Sequence, residues 1–72
     1  MSWKACKVEC FSSYKYPQDP KAFSVGAQRY EVESVESRFL TPEGPLFKVK
    51  ACGKFYWLLY WEHCDEWFVR EI

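Results

Sequence analysis

The sequence predicts an all-β fold: a single antiparallel sheet of five to six short strands, curled into a partly closed barrel, in one small β domain over residues 1–72. Three observations predict it. Apolar and polar residues alternate at period two in several stretches, as side chains do on the two faces of a strand. Glycine and proline interrupt those stretches at short intervals, as in hairpins. Six Phe, five Tyr and four Trp make up 21% of the chain, a content that suits strands and sets the chain apart from disordered sequences.

The elements follow in order. In residues 4–11, Cys6, Val8 and Cys10 fall on one side of an extended chain and Lys7 and Glu9 on the other, so this stretch reads as a strand. Residues 12–20 hold two prolines with Tyr14 and Tyr16; proline fixes φ and removes a ladder donor, which makes the stretch a loop. Residues 22–25 are a short strand closed by Gly26-Ala27. Residues 28–40 open with Tyr30 and Val32 in phase and continue with Val35, Ser37 and Phe39 in the opposite phase, so a β-bulge at Glu33 or Ser34 is expected to restore one face. Val32, Val35 and Phe39 also fit helical spacing, with Thr41-Pro42 as a stop. The β-branched and aromatic content favours the strand. Thr41 through Pro45 is a turn, residues 46–52 a strand, Gly53-Lys54 a turn, residues 55–62 a strand, and residues 67–72 the last strand, reached through His63, Cys64, Asp65 and Glu66. Pairing Phe39 with Phe47, Ser37 with Val49 and Val35 with Ala51 aligns one apolar face, with Glu36 facing Lys50 on the other. Segment charges alternate in sign along the chain, so successive antiparallel neighbours are expected to attract.

Residues 55–61 are apolar on both faces: Phe55, Trp57, Leu59 and Trp61 on one, Tyr56, Leu58 and Tyr60 on the other. A two-residue Gly53-Lys54 turn places the second set in the core, and a three-residue Ala51-Cys52-Gly53 loop places the first set there. The outer set either lies under a covering loop such as residues 12–20 or forms an exposed patch. An exposed Trp57, Leu59 and Trp61 rimmed by Lys48, Lys50 and Arg70 would mark a partner-binding surface. Rings beside lysines also suit single-stranded nucleic acid. The formal net charge of zero ranks that second, because dedicated nucleic-acid domains carry a basic excess.

Cys6, Cys10, Cys52, His63 and Cys64 are the right residue types for zinc. Four residues along a strand advance ~13 Å, too far for Cys6 and Cys10 to share one ion, and no Cys-x-x-Cys is present. The expectation is therefore no metal and no cofactor, with Cys6, Cys10 and Cys52 buried as small apolar residues and Cys64 in an ordinary turn. Adjacent residues on an extended chain point apart, which weakens a thiol or metal protein built on His63 and Cys64. No phosphate-cradling glycine loop or serine with an evident base is found, and no catalytic residue is expected. A chain of 72 residues hides only ~60% of its unfolded surface and leaves little room for a deep active site.

The N-terminus lacks the apolar core of a secretory signal, and the longest strongly apolar run, residues 55–61, falls far short of the ~20 residues of a membrane-spanning helix. A cytoplasmic location with reduced thiols and no membrane partner is expected.

Residues 20–69 read Pro20-x-x-Phe23, Gly26, Tyr30-x-Val32, Val35, Arg38-Phe39, Pro42, Phe47-x-Val49, Gly53, Tyr56-x-Leu58 and Trp67-x-Val69. This pattern resembles a group of small uncharacterised bacterial proteins. The resemblance implies a small β domain in the cytoplasm and brings no catalytic residue with it. It also favours Tyr56 and Leu58 as the buried side of their strand. Phe39 stands where similar proteins have an aromatic such as Trp, and Cys6, Cys10, Trp57 and Trp61 lie outside the pattern. The function expected is a non-enzymatic binding or protein-interaction module acting on a protein partner or on itself through Lys48, Lys50, Trp57, Leu59, Trp61 and Arg70. A weak single-stranded nucleic-acid binder using the same face is the alternative.

Overall fold

The computed structural model describes residues 3–10 and 20–72. Six strands run β1 (Lys4–Cys10), β2 (Pro20–Val25), β3 (Gln28–Leu40), β4 (Pro45–Ala51), β5 (Lys54–Trp61) and β6 (Glu66–Glu71). Each pairs antiparallel with its sequence neighbours, and β1 also pairs with β6, so the sheet closes on itself as a barrel. Closure removes the free edges that an open sheet of this composition would present. No helix occurs among the described residues. The expected loop at residues 12–20 lies outside the described residues except for Pro20, which begins β2 and is fully buried. Phe11 and the Cys10 side chain lie outside them too.

Paired residues share a face, so the register sorts inside from outside. Phe23, Phe47, Val49, Ala51, Tyr56, Leu58 and Val69 form the buried core, with Cys6, Val8, Tyr30, Val32, Val35 and Trp67 packed against it. Phe23, Tyr30 and Tyr56 stack at one end of the barrel, with ring centroids 5.0 to 5.8 Å apart. Trp67 packs between Phe47 and Tyr60 nearer the other, with centroids 5.9 and 5.1 Å away.

The strand β3 carries the expected bulge, since Val32 pairs with Ala51 and Ser34 with Lys50, leaving Glu33 as the extra residue. A second bulge follows at Glu36, between the pairs Val35–Val49 and Ser37–Lys48. The expected pairing is corrected accordingly: Arg38, not Phe39, lies opposite Phe47, Phe39 pairs with Leu46, and Ser34 rather than Glu36 faces Lys50. Each bulge puts two residues against one, so a second one turns Phe39 from the core to the outside, where it is 51% exposed. The loop to β4 is shorter than expected, with Thr41 and Gly44 exchanging both backbone hydrogen bonds at 3.0 Å.

Ala51 pairs with Lys54, so the β4–β5 turn is Cys52-Gly53 rather than Gly53-Lys54. Cys52 and Gly53 have φ of 51° and 74°, the left-handed pair that a tight two-residue hairpin requires. Cys52 is therefore exposed at the hairpin tip, which corrects its expected burial. The turn lies one residue earlier than the expected one, which shifts each cross-strand partner by two and keeps the same side of β5 inward, because strand faces repeat every two residues. Tyr56 and Leu58 are in the core.

On the β1–β2–β3 side, the Arg29 guanidinium bonds both Glu9 carboxylate oxygens at 3.0 and 3.1 Å and Glu31 at 3.0 Å. Ala22 lies in register between Glu9 and Glu31. It has no accessible surface. The hydrogen bonds from Arg29, with its charge, hold the Glu9 carboxyl below the usual carboxylate range.

Candidate functional site

The outer face of β3 through β6 is built in three parallel rows. The middle row runs Phe39–Leu46–Leu59–Phe68 and continues to Ala5 on β1. It is apolar across five strands. Two residues toward the Gly53 end lies the row Ser37–Lys48–Trp57–Arg70, with Lys50 and Phe55 beyond it. Two residues toward the other end, Trp61 pairs with Glu66, and Glu62 donates its backbone N–H to the Glu43 carbonyl at 3.0 Å.

The rings tie the rows together. Phe39 reaches Trp57 with centroids 6.0 Å apart, and Trp61 meets Phe68 edge-on at 5.9 Å. Lys48 Nζ lies 5.4 Å from the Phe55 ring centre and 6.0 Å from that of Trp57, and Lys50 Nζ lies 6.0 Å from Phe55. A cation over a ring face is attracted by the ring quadrupole, so these ammonium groups are drawn toward the aromatics. Trp61 and Phe55 are 39% and 38% exposed, and Trp57, Leu46, Leu59 and Phe68 are half-buried.

All six residues singled out in the sequence, Lys48, Lys50, Trp57, Leu59, Trp61 and Arg70, stand on this one face. Sequence reasoning missed Phe39, Leu46 and Phe68. Phe39 pairs with Phe47 on the sequence pattern alone, because the second bulge has no side-chain signature. Leu46 and Phe68 sit at alternate positions to the core residues Phe47 and Val69, and that parity was the available signal.

His63 and Cys64 are exposed in the β5–β6 turn. No group of three or more His, Cys, Asp or Glu residues able to hold a metal ion occurs among the described residues. In the same turn Asp65 has φ of 53° and accepts the Tyr60 hydroxyl proton in a short hydrogen bond, which pushes the Tyr60 hydroxyl up to about 12. Burial pushes the Cys6 thiol up to about 11, the opposite of what a nucleophilic thiol needs. A cleft of about 350 Å³ opens at the barrel end beside Phe23, Tyr30, Tyr56 and Lys4, and a groove of about 710 Å³ crosses β1 beside Ala5, Lys7 and Glu66.

Fold and face together define a small antiparallel barrel with an aromatic outer surface. Comparison of the chain with protein-family models, with curated proteins and with solved structures gives no match.

Proposed function

We propose that this protein is a non-enzymatic interaction module that binds a protein partner through the outer face of β3–β6. The observation that carries the proposal is the unbroken apolar row Phe39–Leu46–Leu59–Phe68, flanked by Trp57 and Trp61 and edged by Lys48, Lys50 and Arg70. Apolar surface of this extent, centred on tryptophans and rimmed by charge, has the composition of a protein-binding patch. A cytoplasmic location, implied by the resemblance to small bacterial β domains, belongs to the same proposal.

The test replaces Trp57 and Trp61 by Ser, singly. Each variant is expected to change the unfolding free energy by less than ~1 kcal/mol and to abolish association. Unfolding of both single variants would assign the rings a packing role and sink the proposal. A single-stranded oligonucleotide bound at micromolar affinity in ~150 mM salt would transfer the face to the nucleic-acid reading, for which Lys48, Lys50 and Arg70 supply the charge.

A further inference from the structure

We infer that the partner is a second copy of this chain, joined face to face about a two-fold axis lying along the Phe39–Leu46–Leu59–Phe68 row. The inference rests on the reading of this face as an interaction surface and names its occupant.

Charge placement about the row carries the argument. On one side of it stand Lys48 and Arg70, flanking Trp57, with Lys50 beyond. On the other stands Glu66, beside Trp61. Both sets begin two residues from Leu59 along the strands, ~7 Å away. Charge is therefore divided across the apolar belt, with Lys48, Lys50 and Arg70 toward Gly53 and Glu66 on the opposite side. No ion pair among the described residues joins the two ends. Glu33 and Glu36, the acidic side chains of β3 nearest the cationic end, are engaged by the Gly53 N–H at 3.1 Å and the Ser34 hydroxyl at 2.5 Å, and Lys54 pairs with Glu71 at 3.7 Å.

A two-fold interface brings a patch against itself, so the direction of the axis decides which charges meet. With the axis parallel to the strands, the cations of one copy would face the cations of the other, Lys48 against Arg70, and Glu66 would stay on the acidic side with no cation opposite it. With the axis along the apolar row, each strand lies over its own copy with ends exchanged. Arg70 then faces the second copy's Glu66, Trp57 meets its Trp61, and the leucine–phenylalanine belts lie on each other. The barrel is convex, and two large rings on either side of Leu59 are placed to fill the gap that curvature leaves. A standard interface takes ~800 Å² from each partner, about one-sixth of the 5130 Å² accessible surface. The chain has no net charge, so no long-range repulsion opposes pairing.

Sedimentation equilibrium of the full chain over the micromolar range is expected to show a reversible monomer–dimer equilibrium. Arg70 and Glu66 are exposed, so reversing either leaves the fold intact, which circular dichroism checks. R70E alone and E66R alone are each expected to weaken the dimer at least ~10-fold, because like charges then meet at two junctions. The same two variants mixed should form a heterodimer tighter than either homodimer, and the chain carrying both changes should dimerise like the original. A monomer throughout, or a dimer indifferent to both reversals, would overturn the inference. A monomer that still captures a different protein in a Trp57- and Trp61-dependent way overturns the second copy and keeps the interaction module; a monomer with no such capture overturns both.

Discussion

Gly44 has φ of 150° and sits where a Cβ would lie 2.2 Å from the Tyr60 carbonyl oxygen. That oxygen belongs to strand backbone and cannot rotate away. Gly26, with φ of 59°, has open space around it. Gly44→Ala is expected to cost ~2–3 kcal/mol and Gly26→Ala only ~1 kcal/mol, the latter from the left-handed conformation alone; urea unfolding of the two variants measures the difference. Tyr60 supplies a prediction in pH. Its hydroxyl is raised from 10.0 to about 12, first by the hydrogen bond to Asp65 and next by burial. The folded state therefore holds the proton more tightly than the unfolded one. That contribution to stability is complete below pH 10 and is lost as pH rises toward 12. Cys6, raised from 9.0 to about 11 by burial, acts in the same direction one unit lower. Stability should fall from about pH 9 upward, and Tyr60→Phe should flatten the upper part of that fall. An unchanged alkaline profile in Tyr60→Phe would show that the Asp65 bond does not hold the proton.

The β4–β5 hairpin and the strand β3 decide the arrangement of the barrel wall at the scale of elements. Cys52 occupies the first left-handed position of its turn, where a side chain is penalised and asparagine is the best tolerated non-glycine residue. Cys52→Asn, giving Asn-Gly, is expected to stabilise the protein by ~0.5–1 kcal/mol, and Cys52→Val to destabilise it, since β-branching conflicts with positive φ. Thermal unfolding of both variants tests the pair of signs, and stabilisation by Val would contradict the turn. In β3 the two bulges at Glu33 and Glu36 set the inward positions at Val32 and Val35, with Arg38 opposite Phe47. Spacing by three is also the spacing of a helix, which is why Val32 and Val35 fit a helical pattern in a stretch that is strand throughout.

The barrel as a whole is closed by its thinnest seam. β1 meets β6 through Lys4–Val69, Ala5–Phe68 and Cys6–Trp67, then shifts to β2 with a register irregularity at Glu9–Cys10. β4 and β5, in contrast, pair through six consecutive residues from Leu46–Leu59 to Ala51–Lys54. Cooperative opening begins where few buried contacts hold the backbone. Amide protons of β1 are expected to exchange through a partial opening well before those of β4 and β5, which should report global unfolding. The half-buried Cys6 thiol at the seam should react with a thiol reagent more slowly than the exposed Cys52 and Cys64. Equal protection along all strands would show that the seam opens only with the whole barrel.

The sequence alone determined the strand content, the hairpin positions to within two residues, a bulge at Glu33 or Ser34, and the two apolar faces of residues 55–61, with the choice between those faces left to the resemblance. These are local properties: alternation, turn residues and aromatic density survive without knowledge of what each strand pairs with. Only the tertiary structure decided the second bulge, the outward turn of Phe39, the exposure of Cys52 and the closure of β1 on β6. Each of these depends on which residue lies across the ladder, and one inserted residue in β3 exchanges inside for outside without altering the alternation that precedes it. The union of Phe39, Leu46, Leu59 and Phe68 into one row was hidden for the same reason, because its members come from four strands and meet only when the registers on both sides of β4 and β5 are known.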